Sequence, residues 1–138
     1  MKKSDNIYIA GHNGLVGSSV YALLKKNGYK NLITANRNKL DLRNYNKVEK
    51  YFKSVKIDYM IMAAAKAGGI MANSTNQKDF FLNNIEIQNS LLKLALKKRV
   101  KRTIYLGTSC IYPKHARTPI LEDSLLTGKL EKTNQCYA

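Results

Sequence analysis

The feature that most constrains this chain lies near its start. A short apolar run, Ile7–Ala10, stops at a glycine, and the next residues read Gly11-His12-Asn13-Gly14-Leu15-Val16-Gly17. Such a run, bounded by a turn residue, reads as a buried strand. Beyond it, apolar residues recur at Leu15, Val16, Val20, Leu23 and Leu24, which is helical spacing, and Asn27-Gly28 supplies a stop. The G-x-x-G-x-x-G loop therefore joins a strand to an amphipathic helix. Each glycine meets a separate demand. Gly11 permits the tight turn off the strand, Gly14 lets backbone approach a phosphate, and Gly17 lets the helix pack close to the strand. The helix N-terminus adds free N–H groups and partial positive charge, which suit a pyrophosphate. The alternative is a glycine turn that holds no ligand.

The rest of the chain repeats the strand-then-helix order. Residues 31–35 read as a second strand, and Tyr45, Val48, Phe52 and Val55 step by three and four as a second helix. Residues 57–65 read as a third strand that begins near Asp58, followed by a loop over 66–75 carrying Gly68-Gly69. Residues 76–99 form a long predicted helix with two apolar stripes. One is Phe81, Ile85, Leu92 and Leu96; the other is Phe80, Ile87, Leu91 and Leu94. Residues 100–106 read as a fourth strand, and after Gly107 the pattern weakens into a loop with Pro113 and Pro119. This β-α-β-α-β-α-β order implies a parallel sheet with right-handed crossovers and helices on both faces, a Rossmann-like doubly wound α/β fold. A length of 138 residues suits one domain, the NAD(P)-binding domain of residues 1–138. In such folds ligands bind at the carboxyl ends of the strands, here the loops 11–14, 36–42, 63–75 and 107–115.

The end of the second strand bears on the choice of dinucleotide. NAD-binding domains usually place an acid there for the ribose 2′-hydroxyl. This chain has Ala35-Asn36-Arg37-Asn38, with no acid, and the Arg37 guanidinium suits a 2′-phosphate. NADP is therefore preferred over NAD, the alternative being that Arg37 is a solvated loop cation. Charge is compatible with a phosphate-rich ligand: 24 Lys and Arg against 9 Asp and Glu give +15. The same excess could serve nucleic acid or be a lysine-loaded surface. The cations are scattered apart from a cluster at Lys97, Lys98, Arg99, Lys101 and Arg102. No interleaved aromatic and basic pattern of a single-strand binder is present, so nucleic acid is not the expected partner. No apolar run approaches the roughly 20 residues of a membrane span, nor does the start resemble a signal peptide. Cys110 and Cys136 form no disulfide framework, and no His or Cys cluster has zinc-ligand spacing. A reducing cytoplasm is the expected setting and no metal site is expected.

Four segments together carry a resemblance. They are Ala10 to Gly17, already quoted; Ala63-Ala64-Ala65-Lys66-Ala67-Gly68-Gly69-Ile70; Leu106-Gly107-Thr108-Ser109-Cys110-Ile111-Tyr112-Pro113-Lys114; and Glu131-Lys132-Thr133-Asn134-Gln135-Cys136-Tyr137-Ala138. In order and spacing they resemble the extended short-chain dehydrogenase/reductases, and within these the GDP-L-fucose synthase group of NADP-dependent nucleotide-sugar epimerase/reductases. The resemblance implies that Thr108, four residues before Tyr112, orients the substrate carbonyl and that Ser109 lines the sugar site. It implies that Cys110 acts as acid or base in epimerisation and that Tyr137 protonates the 4-keto oxygen during reduction. It maps cofactor contacts onto Gly11, Asn13, Gly14, Leu15, Val16, Arg37, Asp41, Leu42, Ala64 and Ile87, beside the Gly17 already argued. The chemistry suits these groups. Epimerisation beside a carbonyl needs a proton carrier, and reduction needs a donor aimed at the developing oxyanion. Read from residues alone, Thr108 and Ser109 could instead cap a strand end and Cys110 could be a buried apolar residue.

The resemblance also implies parts that residues 1–138 do not hold. These are a lysine four positions beyond the tyrosine, a later histidine, the last strands of the sheet and a substrate domain. The expectation is an N-terminal portion, inactive alone, that binds NADP(H). Group members often carry Arg where Asn13 stands and usually Ser where Thr108 stands. Relatives pair through two long helices, so a homodimer or other self-association through residues 76–99 is expected. The alternatives are a non-catalytic dinucleotide-binding module and a different nucleotide-sugar epimerase or dehydratase.

Overall fold

A computed structural model describes residues 1–138. Four parallel strands form one sheet in the order β2-β1-β3-β4, with β1 Ile7–Ala10, β2 Leu32–Ile33, β3 Tyr59–Met62 and β4 Arg102–Tyr105. The first strand is central, so its carboxyl end opens between β2 and β3, where the chain order changes direction across the sheet. Successive side chains of a strand point to opposite faces, and the two sides fill differently. Ile7, Ile9 and Ile61 pack with Val20, Tyr21 and Leu24 of helix α1 (Leu15–Lys26). Tyr8, Ala10, Met60 and Met62 face the other way. They meet Val48 and Phe52 around helix α2 (Tyr45–Tyr51), and Leu91, Leu94 and Ala95 of helix α4 (Gln77–Lys97). Helices on both sides of a parallel sheet are the doubly wound arrangement expected. Each fully buried side chain of Phe52 or Leu91 size contributes roughly 1.5–3 kcal/mol.

The strands are shorter than their apolar runs because pairing, not hydrophobicity, ends them. Only Leu32 and Ile33 pair with β1, so residues 34 and 35 leave the ladder early. Helix α2 stops at Tyr51; Phe52 caps it and Val55 lies beyond, still packed on the core. The segment 66–75 departs from a plain loop: Ile70–Thr75 forms a short helix, α3. Its Asn-Ser-Thr composition looks loop-like, yet Ser74 Oγ and Thr75 Oγ1 donate back to the Met71 carbonyl at 2.9 and 2.8 Å, a local bond compatible with a helical turn. Of the two stripes on α4, Phe80, Leu91 and Leu94 are buried and Ile87 packs partly. Leu92 and Leu96 of the other stripe stay exposed, Leu96 by 79%.

The amino ends of the strands are held by charge. Asp58 is buried and accepts from the Asn6 backbone N–H at 3.0 Å, while Lys101 and Lys56 lie 3.0 and 3.3 Å from it. The residues divide into two compact units. Residues 1–65 and 85–106 carry the sheet; residues 66–84 and 107–138 carry α3, the start of α4 and 3-10 turns at Ser109–Ile111 and Glu122–Ser124. No helix is long and apolar enough to cross a membrane.

Candidate functional site

The loop after β1 is shaped by backbone contact. Gly11 has φ +83°, a conformation that side chains rarely adopt, and a Cβ there would lie 2.6 Å from the Ala63 carbonyl oxygen. Gly14 N–H donates to the Gly11 carbonyl at 2.9 Å and Ser18 N–H to the Gly14 carbonyl at 2.9 Å. Gly14 caps α1 without any side-chain cap. The next N–H groups, of Leu15, Val16 and Gly17, have no acceptor in the protein. They open α1, where Leu15 is 88% exposed and Val16 is exposed too, so an anion can reach the start of the helix. Gly17 is buried, and a Cβ there would fall 2.1 Å from the Gly11 carbonyl oxygen. This cradle of free donors at a helix N-terminus, beside an exposed Gly14 without a side chain to block approach, fits a pyrophosphate.

Of the other residues expected to hold a dinucleotide, only some stand beside the loop. The β1–β2 pairing ends at Tyr8 and Ile33, and Gly11 and Asn36 each lie three residues beyond it. Asn13 Nδ2 donates to Asn36 Oδ1 at 2.9 Å, joining the glycine loop to the end of the second strand. Arg37 is exposed next to this pair. Asp41 is already engaged: Arg43 Nε lies 2.9 and 3.1 Å from its two oxygens and Arg43 Nη2 lies 2.6 Å away. Those bonds, with a smaller contribution from the Arg37 charge, hold the Asp41 carboxyl down at about 2. Leu42, Ala64 and Ile87 are partly buried against the core that backs this region, so their side chains serve packing as well. Arg43 and Asn36 were not singled out in the sequence. An Asp-x-Arg spacing is the only signal for the first, and the second shows only as a polar residue at a strand end.

The residues expected to do chemistry all lie in the second unit. Thr108 is extended and half-buried, and its Oγ1 accepts from the Cys110 N–H at 3.2 Å, capping the turn Ser109–Ile111. The same turn thus brings Thr108, Ser109 and Cys110 together. Cys110 is a half-buried free thiol. Tyr137 sets its ring edge-on to Phe80, with centroids 6.3 Å apart, and its N–H donates to the Asn134 carbonyl at 2.8 Å. The Ala-Lys-x-Gly-Gly-Ile segment is tied down in this unit. Lys66 N–H donates to Asn84 Oδ1 at 2.7 Å, and Asn84 Nδ2 returns a bond to the Lys66 carbonyl at 3.0 Å. Lys66 Nζ pairs with Asp79, and Asn73 Nδ2 donates to the Gly68 carbonyl at 2.9 Å. Asn73, which is buried, and Asn84, which is half-buried, were missed, since a lone amide within a helix carries no periodic signal.

Known proteins resemble this chain in sequence and fold. GDP-L-fucose synthase 1 of Arabidopsis thaliana is 46% identical over 136 residues, 99% of this chain and 42% of that protein. The GDP-L-fucose synthase of Escherichia coli is 42% identical over 132 residues, 96% of this chain and 41% of that protein. The solved structure of a GDP-mannoheptose C4 reductase from Campylobacter jejuni with NADP bound superposes with a TM-score of 0.94. It is 34% identical, covering 99% of this chain and 43% of that one. The chain thus spans about 42% of the length of the curated relatives it matches. The profile of one family matches residues 7–138, from the first strand through Tyr137, and by that match the chain belongs to the NAD dependent epimerase/dehydratase family.

Proposed function

We propose that residues 1–138 are the NADP(H)-binding domain of a nucleotide-sugar epimerase/reductase of the GDP-L-fucose synthase type. The observation that carries the reading is the glycine loop with the free N–H groups of Leu15, Val16 and Gly17 at the start of α1. Support for NADP comes from Arg37 at the acid-free end of β2 and from the relative solved with NADP bound. In this reading Gly11, Asn13, Gly14, Leu15, Val16, Gly17, Arg37, Asp41, Leu42, Ala64 and Ile87 surround the cofactor. When bound, the cofactor would supply the hydride for carbonyl reduction. The chain's own groups do the rest. Thr108 accepts from the Cys110 N–H, which leaves its hydroxyl proton to donate toward a carbonyl oxygen. Ser109 lines the sugar site. Tyr137 gives its phenolic proton to the same oxygen as charge develops there, and Cys110 carries a proton in epimerisation. Turnover is assigned to a polypeptide of the relatives' length. Residues 1–138 alone are expected to bind cofactor without oxidising it. Self-association through α4 belongs to the same reading, supported by the exposure of Leu92 and Leu96.

A thermal-shift titration with NADPH, NADH and GDP-sugars tests this. A ligand that binds only the folded chain stabilises it by about 2.7 kcal/mol at a hundredfold excess over Kd. NADPH should raise the melting temperature by several degrees and NADH by less. No shift with either dinucleotide refutes the assignment.

A further inference from the structure

We infer that the cleft between α2 and the end of α4 is a second anion site, separate from the glycine loop, that takes a compact chain of phosphates. The cleft has a volume of about 360 Å³, and most of its wall is lysine: Lys50 and Lys53 from the α2 side, Lys97 and Lys98 from the α4 side. The buried Leu94 and the exposed amide of Asn46 complete it, with Glu49 as its one carboxylate. Two bonds tie its walls together. Lys97 Nζ pairs with Glu49, and Lys98 Nζ donates to the Lys53 carbonyl at 2.8 Å. The first tie also neutralises the carboxylate. The exposed ammonium groups of Lys50 and Lys53 take no part in either tie. Position sets the cleft apart from the glycine loop. Helix α2 ends at Tyr51 and leads to the start of β3, and α4 ends at Lys97 and leads to the start of β4. Those are the amino ends of parallel strands, whereas the glycine loop leaves the carboxyl end of β1. The inference therefore does not rest on the dinucleotide reading.

Charge and shape choose the occupant. The carbonyls at a helix C-terminus carry partial negative charge, so these helix ends favour the lysines but offer an anion nothing themselves. The attraction comes from side chains alone, four ammonium groups against one paired carboxylate. Each ammonium is a point charge with three donors, able to meet phosphate oxygens from several directions. A chain of linked phosphates carries enough charge to engage several lysines at once. The lysines surround a hollow, and no aromatic ring lines it to stack a base, so a nucleic-acid strand is the poorer fit. Inorganic tripolyphosphate and the phosphate chain of a nucleotide share the chemistry that fits.

The experiment is an amide NMR titration of the full 138-residue chain with tripolyphosphate, and with ATP in a parallel arm that separates the inorganic from the nucleotide source. It is run in about 0.1 M salt, where charges more than about 10 Å apart are largely screened. Saturable shifts should centre on residues 46–53 and 94–98. Lys50→Glu combined with Lys53→Glu should weaken binding by at least about tenfold, because two attractive charges become repulsive. Glu49→Gln should tighten it, by removing the carboxylate and freeing Lys97 Nζ. Lys25→Glu combined with Lys26→Glu makes the same change of charge at the end of α1, on the other face of the sheet, and should leave binding nearly unchanged. Ligand-free melting curves check that each variant folds. Shifts centred on residues 11–17 would put the anion on the glycine loop, and equal losses in the two double variants would reduce the effect to general charge attraction. Either result overturns the inference, as does binding of duplex DNA with no response to tripolyphosphate or ATP.

Discussion

Gly17→Ala and Gly14→Ala, made side by side, separate the two things the glycine loop does. At Gly17 an added Cβ would sit 2.1 Å from the Gly11 carbonyl oxygen, 2.7 Å from the Gly11 carbonyl carbon and 3.0 Å from the His12 Cα. All of these are backbone atoms. A flexible side chain could swing aside, but here the loop itself must move by about an ångström to restore ordinary contact. Overpacking of this kind costs about 1–3 kcal/mol. Part of that is offset, because alanine in a helix is favoured over glycine by up to about 1 kcal/mol. With an unfolding entropy near 2 cal/mol/K per residue, a chain of this size loses about 3 °C of melting temperature per kcal/mol. Gly17→Ala should therefore melt several degrees lower. It should also bind NADPH weakly, since the displaced loop carries the N–H groups of the cradle.

Gly14 differs in what surrounds it. A Cβ there would meet only the Gly11 carbonyl oxygen, at 3.3 Å, and its φ of −79° is open to any residue. Alanine is a poorer helix N-cap than glycine, by less than about 1 kcal/mol. Gly14→Ala should therefore fold and melt within about 3 °C of the wild type. Its methyl would stand where the pyrophosphate must approach, so NADPH affinity should fall at least about tenfold. The assays are melting by circular dichroism and calorimetric titration with NADPH. Wild-type melting by Gly17→Ala would refute the packing argument. Wild-type NADPH affinity in Gly14→Ala would refute the placement of the pyrophosphate.

Other expectations can be checked on the same protein. The Asn6 N–H and the nearby Lys101 and Lys56 hold the buried Asp58 at about 2, below its ordinary 3.8. A depressed acid stabilises the fold above its unfolded value and loses that contribution as pH falls through the folded one. Wild-type melting temperature should thus fall between about pH 4 and 2 more steeply than that of Asp58→Asn, and parallel acid limbs would show the opposite. Tyr8 is fully buried with its hydroxyl unpartnered, and burial pushes its pKa well up. Tyr8→Phe should leave stability unchanged or raise it by up to about 2 kcal/mol, and a loss above about 1 kcal/mol would reveal a partner for the hydroxyl. Arg37→Ala should weaken NADP much more than NAD in a titration; equal losses would return Arg37 to the role of a solvated cation.

The parts legible in the sequence were those governed by periodicity. Ile7–Ala10, the start of α1 at Leu15 and its stop at Asn27-Gly28 follow from apolar spacing and glycine alone. The alternating burial of Ile7, Tyr8, Ile9 and Ala10 onto two different cores could not be read, because all are apolar and a strand buried on both faces shows no alternation. Helix α3 was hidden for another reason: its last turn carries side-chain hydroxyls that look like loop chemistry. At the site, the glycines could be seen because each answers a backbone demand. The Asn13–Asn36 bond and the Asp41–Arg43 pair could not, since a side-chain contact between neighbouring loops leaves no mark on spacing.

The two sets of site residues are held by different means, and that bears on how each tolerates change. The cradle is held by backbone against backbone, with Gly11 against Ala63 and Gly17 against Gly11, so its shape follows from the sheet and cannot be retuned by small side-chain substitutions. Around it Asn13, Asn36 and Arg37 are exposed, and one amide bond joins Asn13 to Asn36, so this rim rests on side chains that single substitutions can change. Thr108 stands in a third situation. Its hydroxyl accepts the Cys110 N–H and so shapes the turn, while its proton stays available. A threonine does this with a stiffer χ1 than serine, since its branched Cβ restricts rotation. Threonine where the group usually has serine therefore keeps the donor and narrows its direction, so the exchange sharpens the proposed carbonyl contact without removing it.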